Sequence, residues 1–310
     1  MRPAAALIAG GLVLACGLAL AGCGSRGGSG EGESNETTAA PPASLEALWR
    51  APGVDVAIVP GTSDFAPGTN RVSFLIVDKQ SRLVERPTAR VWMARGLQQK
   101  PYAETVARLE PIGVPGGAKA DAQNIYVAHV PTPTPGTYWL LAEPVGGRRV
   151  QALGNVVVKR KPVAPAIGDR AIPSRNPTVA GGHDPKTITT ARPPDTELLH
   201  ISVAQALAAK KPFVVTFSTP LYCQTRTCGP VVQVVQSVAK SWRGKGVEFI
   251  HIEIYEDNDP AKGTNRWVDE WKLPTEPFTF VVDRTGIIRA KLEGAFSAAE
   301  LDAAVKNVAS

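Results

Sequence analysis

The stretch Phe213-Val-Val-Thr-Phe217-Ser-Thr-Pro220-Leu-Tyr-Cys223-Gln-Thr-Arg-Thr-Cys228-Gly229-Pro230-Val-Val carries most of what this chain discloses about itself. Its apolar β-branched and aromatic opening is too short for a helix and reads as a buried strand. A polar loop holding two cysteines follows. Pro230 then sits where the first turn of a helix tolerates it, with Val231, Val234, Val235 and Val238 on one face. Paired thiols between a buried strand and a helix N-terminus can do disulfide chemistry. The positive helix end favours a thiolate, and a loop lets two sulfurs approach.

Around this stretch the element types alternate. A helix is expected over 202–210, with Val203, Ala206 and Leu207 on one face, followed by strands over 213–217 and 247–254 separated by a helix over 230–242. A further helix is expected over 261–271, with Trp267 and Trp271 one turn apart. Segments 278–282 and 287–292 form a hairpin over Asp283-Arg-Thr-Gly286, and Ser297-Ala-Ala-Glu300 has capping-box spacing for the last helix.

This order resembles the thioredoxin fold, and within it the extracytoplasmic, membrane-tethered thioredoxin-like proteins. The matching residues are Lys211-Pro-Phe-Val-Val-Thr-Phe217, the two cysteines, Cys228-Gly-Pro230, Pro277-Phe-Thr-Phe-Val-Val-Asp283 and Gly286. The resemblance covers residues 196–310 and implies that Pro277 is a cis proline lying against the active-site sulfurs. The sequence also departs from the family. Four residues separate Cys223 and Cys228 where the family has two, Thr216 stands where thioredoxins carry a buried acid, and Glu276 precedes the proline where a small or apolar residue is usual. A carboxylate there opposes ionisation of nearby thiols by like-charge repulsion.

The resemblance implies thiol–disulfide exchange with partner proteins carrying an accessible disulfide or thiol. Cys228, Cys223 and Pro277 are the candidate catalytic residues, and Cys223–Cys228 the candidate disulfide. A thiolate attacks a partner disulfide and the second cysteine resolves the mixed disulfide. Cys228, nearest the helix, is the better-placed nucleophile, whereas a helix starting nearer Gln224 reverses the roles. The competing reading is a structural disulfide in a redox-inactive binding or scaffold protein, although so small a ring returns only about 2 kcal/mol. A peroxiredoxin-like thiol peroxidase is a further alternative, since one branch of that family spaces its cysteines five positions apart. Its motif requires Pro and Thr/Ser where this chain has Thr216 and Pro220. His251, in the second strand of this part, reads as a structural histidine, and no cofactor or metal is expected.

The beginning of the chain is read separately. Arg2 and the apolar run 4–21, ending in Leu20-Ala21-Gly22-Cys23, resemble a bacterial lipoprotein signal with cleavage before Cys23. The resemblance implies lipidation of Cys23, with acyl chains such as palmitate holding the protein to the extracytoplasmic face of the cell membrane. Cys16 then lies in the removed signal, which leaves Cys223 and Cys228 as the cysteine pair, in a compartment where disulfides persist. Residues 24–44 are Gly, Ser, Glu, Thr and Pro without apolar period and read as a flexible tether.

Residues 45–160 carry short β-rich runs at 54–59, 71–77, 89–94, 125–130, 137–142 and 151–158, with a further candidate at 102–109. They are expected to form an immunoglobulin-like β-sandwich, with Trp92 and Trp139 in its core. Residues 161–195 hold seven prolines and read as a linker or a strap across a neighbouring surface. The expected fold class is thus an α/β thioredoxin-like domain at the C-terminus preceded by an all-β immunoglobulin-like sandwich. The formal charge is +6, concentrated in the N-terminal half: 46–161 holds 15 Lys/Arg against 9 Asp/Glu, and 163–310 holds 17 against 16. Basic residues are not interleaved with aromatics, so no nucleic-acid partner is expected.

Overall fold

The structure, a computed structural model, describes residues 43–223 and 226–309. Residues 1–22, Cys23 and the tether up to residue 42 lie outside the described residues. Among the described residues no helix is long and apolar enough to cross a membrane.

After a short helix α1 (Leu45–Trp49) come seven strands: β1 (Val54–Pro60), β2 (Gly68–Val77), β3 (Thr88–Ala94), β4 (Ala103–Pro111), β5 (Asn124–Thr132), β6 (Gly136–Pro144) and β7 (Val150–Val158). Each falls on a stretch whose alternation or β-branched density marks it in sequence. Their arrangement is a closed barrel in the order β1-β2-β5-β4-β3-β6-β7. β1 closes it by pairing with two partners. Its first half runs parallel to β7 (Val54 opposite Val150), and its second half runs antiparallel to β2 (Ala57 opposite Val77). Phe74, Ile76, Val91, Met93, Tyr126, Val130, Tyr138 and Leu140 fill the interior. Trp92 and Trp139 lie elsewhere, in a separate cluster with Leu45, Leu48 and Trp49 of α1.

The Pro-rich stretch is a strap rather than a free connector. It passes the short helix α2 (Pro185–Ile188) and buries Ala164, Ala171, Ser174, Asn176, Thr189 and Thr190. At one point it extends a sheet edge, with Arg170 bridged to Ile287 and the Ala171 amide donating to the Gly286 carbonyl.

The remaining elements are α3 (Val203–Ala208), β8 (Phe213–Phe217), α4 (Cys228–Trp242), β9 (Glu248–Ile252), α5 (Arg266–Glu270), β10 (Phe278–Val282), β11 (Ile288–Glu293) and α6 (Ala298–Ala309). The strands form one mixed sheet in the order β11-β10-β8-β9. β8 is central, parallel to β9 and antiparallel to β10, which is why every residue of β8 and β10 is buried. One face takes α4 and α6 through Val231, Val235, Val238, Leu301 and Val305. The other carries Phe217, Trp271, Phe278 and Phe280 in ring contact.

The expected fold class does not hold. Where an immunoglobulin-like sandwich was expected, the strands close into a seven-stranded barrel. The described chain is mostly sheet and its helices are few and scattered, so the C-terminal part is not a clear thioredoxin α/β fold. α3 and α5 have only six and five residues. The expected helix over 261–271 shrinks to α5 because Pro260 and Gly263 bound a 3-10 turn, after Asp257 and Asn258 in left-handed conformations.

Candidate functional site

The apolar β8 runs into Ser218, whose amide donates to the Ile252 carbonyl at 3.1 Å and keeps the strand's end in the sheet. The chain then leaves the sheet and turns back. The Arg226 amide donates to the Cys223 carbonyl at 3.2 Å, and Arg226 takes a left-handed φ of 53°. α4 begins at Cys228 itself, two residues before Pro230, so the first helical amide lies beside the preceding loop. That amide donates to the Cys223 Sγ at 3.3 Å. The helix-end donor therefore acts on Cys223, while Cys228 forms part of the helix.

The two thiols differ in exposure. Cys228 is fully buried and Cys223 half-buried. The Thr227 hydroxyl lies 3.8 Å from the Cys223 sulfur. The hydrogen bond of Cys228 to the Cys223 side chain pushes the Cys228 thiol far up, with burial and the charge of Cys223 adding to it. The Thr219 amide and Ser218 side chain pull the other way without winning. Cys228 thus keeps its proton while Cys223 collects donors. The Thr219 hydroxyl is buried and has no hydrogen-bond partner among the described residues.

Glu276 completes the cluster. A carboxylate oxygen and the two sulfurs all lie within 4.8 Å of one another. The Glu276–Pro277 bond is cis, and the Pro277 carbonyl accepts from the Gly294 amide at 2.9 Å, which anchors this corner beside β11. Burial pushes the Glu276 carboxyl up to about 7, reinforced by the charges of Cys223 and Glu253. Burial, then the charges of Glu276 and both cysteines, push the Tyr255 phenol up. Among the described residues, two sulfurs and one carboxylate make a dithiol with a neighbouring acid.

The expected residues Cys223 and Cys228 are brought together, with Pro277 one residue from the acid that faces them. His251 is not part of the reacting set. Its Nε2 donates to the Ser218 carbonyl at 3.0 Å and its Nδ1 accepts from the Thr189 hydroxyl at 3.3 Å, so it fastens the strap to the sheet. Thr216 and Thr279 pair their hydroxyls at 2.9 Å in the buried sheet. Sequence reasoning put Glu276 near the thiols as a charge opposing their ionisation, but did not count it among the catalytic residues. The feature that marks it is a carboxylate directly before the proline.

The barrel also reaches the site, which nothing in the sequence indicated. The Ala118 amide, in the β4–β5 loop, donates to Gln233 Oε1 of α4 at 2.7 Å, and Asp121 lies 3.8 Å from Arg226. Gly113 takes a φ of +84°, and a Cβ there would approach the Pro230 side chain to 3.2 Å. A cleft of about 400 Å³ opens between the barrel (Val59, Leu75, Ile125) and Thr227 and Glu276. Just before Cys223 in the chain, Leu221 and Tyr222 are exposed, the Tyr222 ring standing edge-on to Tyr255 at 6.1 Å.

No known family model matches the chain, and no curated protein matches it in sequence. Among solved structures, a thiol:disulfide interchange protein of the thioredoxin family from Chlorobium tepidum TLS is a weak neighbour. It has 20% identity and a TM-score of 0.28, covering 36% of this chain and 86% of that one. The PKD domain of the human VPS10 domain-containing receptor SorCS2 has 18% identity and a TM-score of 0.18, covering 44% of this chain and 96% of that one. Likenesses of this size carry no argument, and the chemistry of the site has to stand on its geometry.

Proposed function

We propose that this protein is a thiol–disulfide oxidoreductase that acts on partner proteins through Cys223 and Cys228. The carrying observation is the Cys228 amide aimed at the Cys223 sulfur, with the second sulfur and a carboxylate within 4.8 Å. Helix-end donation favours the thiolate, the form that attacks disulfides. Cys223 is therefore the nucleophile and the buried Cys228 the resolving thiol. The exposed Leu221 and Tyr222 give a partner chain an apolar foothold beside Cys223. Cys23, in its lipoprotein-like setting, carries the acyl anchor that holds the protein to the extracytoplasmic face of the membrane.

Trapping in cells tests the assignment. Cys228→Ser accumulates mixed disulfides with partner proteins, because Cys223 still attacks and nothing resolves the product. Cys223→Ser accumulates none, and Cys23→Ser releases the protein from the membrane fraction. A Cys223–Cys228 bond that glutathione buffers reduce only after unfolding would instead establish a structural disulfide and end the exchange reading.

A further inference from the structure

The second half of a disulfide exchange needs a base. Cys228 is fully buried, its sulfur keeps its proton, and a thiol does not attack a mixed disulfide until that proton leaves. In the sheet beneath, the Thr216 hydroxyl is already paired with that of Thr279. Both His251 nitrogens are committed to Ser218 and Thr189. The Glu253 oxygens already accept from the Thr190 amide and hydroxyl and the Ile254 amide. Glu276 remains, with a carboxylate oxygen within 4.8 Å of both sulfurs. That distance is spanned directly or through one water.

We propose that Glu276 is the catalytic acid–base of the resolving step, taking the proton of Cys228 and delivering it to the departing partner thiolate. This rests on the exchange reading above. In the first step the Cys223 thiolate attacks a partner disulfide: the Cys223–partner S–S bond forms, the partner S–S bond breaks, and the first partner sulfur leaves as thiolate and takes a proton from water. In the second step the Glu276 carboxylate accepts the Cys228 proton. The Cys228 sulfur then attacks Cys223, the Cys223–Cys228 bond forms, and the mixed disulfide breaks. The second partner sulfur leaves with its electron pair and takes the proton from Glu276. The partner gains two electrons and the dithiol loses two, while Glu276 ends as it began. Run backwards, the same steps oxidise a partner dithiol.

The surroundings suit a carboxyl that changes charge near neutrality. Cys223 and Cys228 face it from the loop and α4, and Glu253 and Tyr255 from the end of β9. Glu293 from β11 and Asp121 from the barrel loop share its cleft. Glu293 is bound to Ser63 and to the Asp64 amide, and Asp121 pairs with Arg226. Apart from Arg226, which pairs with Asp121, the groups named around the acid are negative or neutral, and its carboxyl is held up to about 7.

The full-length reduced protein in detergent is mixed with glutathione disulfide in a rapid-mixing experiment, in chelator-containing buffer across the pH range. Formation and resolution of the glutathione adduct are followed separately by acid quench and mass spectrometry. In the wild type the resolution rate rises with pH and levels off by about 7, since burial still raises the Glu276 carboxyl while the charge of Cys223 is gone in the adduct. Glu276→Gln keeps the shape and slows resolution about 100-fold, removing the inflection without slowing adduct formation. Glu276→Asp, which keeps the carboxylate, retains the inflection. A Gln variant with the wild-type rate and profile overturns the role of Glu276 while leaving exchange intact. A wild type that forms no adduct overturns the exchange reading and this inference with it.

Discussion

At the scale of single residues, the roles of the two cysteines turn on where one helix begins. Pro230 marks the first turn in sequence, but α4 starts two residues earlier, so the cysteine nearest the helix becomes part of it and loses its access. The other receives the amide. The sequence therefore disclosed the pair but not the division of labour, because a shift of two residues in a helix start exchanges buried for reachable. The Thr216–Thr279 pair is a second residue-scale feature, visible in sequence only as a missing acid. Thr216→Val leaves the Thr279 hydroxyl buried without its partner and should cost about 1–3 kcal/mol. Adding Thr279→Val should recover most of that loss in denaturant unfolding, since an apolar pair of similar shape has nothing left to satisfy. A double variant no more stable than the single one would mean the hydroxyl pair is not the source of the effect.

At the scale of elements, the strands were readable because β-branched and aromatic residues crowd into short runs bounded by Gly and Pro. β8 and β10 fill both faces of a sheet and need no alternation, so continuous apolarity identified them. Helices fared less well. Trp267 and Trp271, one turn apart, mark α5 in sequence, yet Pro260, Gly263 and the left-handed Asp257 and Asn258 break the segment before it into 3-10 turns. What holds this side of the sheet is the aromatic cluster. Phe280 meets Phe217 at 6.4 Å, Trp271 at 4.8 Å and Phe278 at 5.8 Å between ring centroids, with no solvent exposure. Phe280→Ala should therefore cost about 3–5 kcal/mol in denaturant unfolding, through lost burial and the cavity left behind. A loss below 1 kcal/mol, as at an exposed position, would refute this packing.

At the scale of the whole molecule, buried charges join the barrel to the sheet. Lys291 donates to Asp64 Oδ2 at 2.7 Å with the Asp64 side chain wholly buried, and the Val163 and Ala164 amides complete its shell. Arg71 forks onto Glu300 at 2.5 and 2.9 Å, and Glu293 accepts from Ser63 and the Asp64 amide. Gly294 has a φ of +72°, and a Cβ there would run into the Gly61 carbonyl oxygen. Burial works against the Asp64 charge, but Lys291 and the two amides hold its carboxyl below the usual range. A depressed acid stabilises the fold above its unfolded pKa and loses that contribution as pH falls through the folded one, so this junction weakens in acid. Asp64→Ala strands Lys291 without its counter-charge and should cost about 3–5 kcal/mol. It should also flatten the acid dependence of unfolding and divide one thermal transition into two. A single transition with unchanged pH dependence would mean the junction is not what couples the two parts.

The sequence by itself determined where the strands lie, that two thiols stand between a buried strand and a helix, and that an acid precedes Pro277. Those are local properties, written in side-chain type and spacing. Only the tertiary structure decided that seven strands close into a barrel, that the barrel's loop reaches α4, and that Glu276 stands over both sulfurs. Strand partners and site neighbours are set by contacts between residues far apart in the chain. The sequence pattern that makes a strand says which face is buried, but not against what.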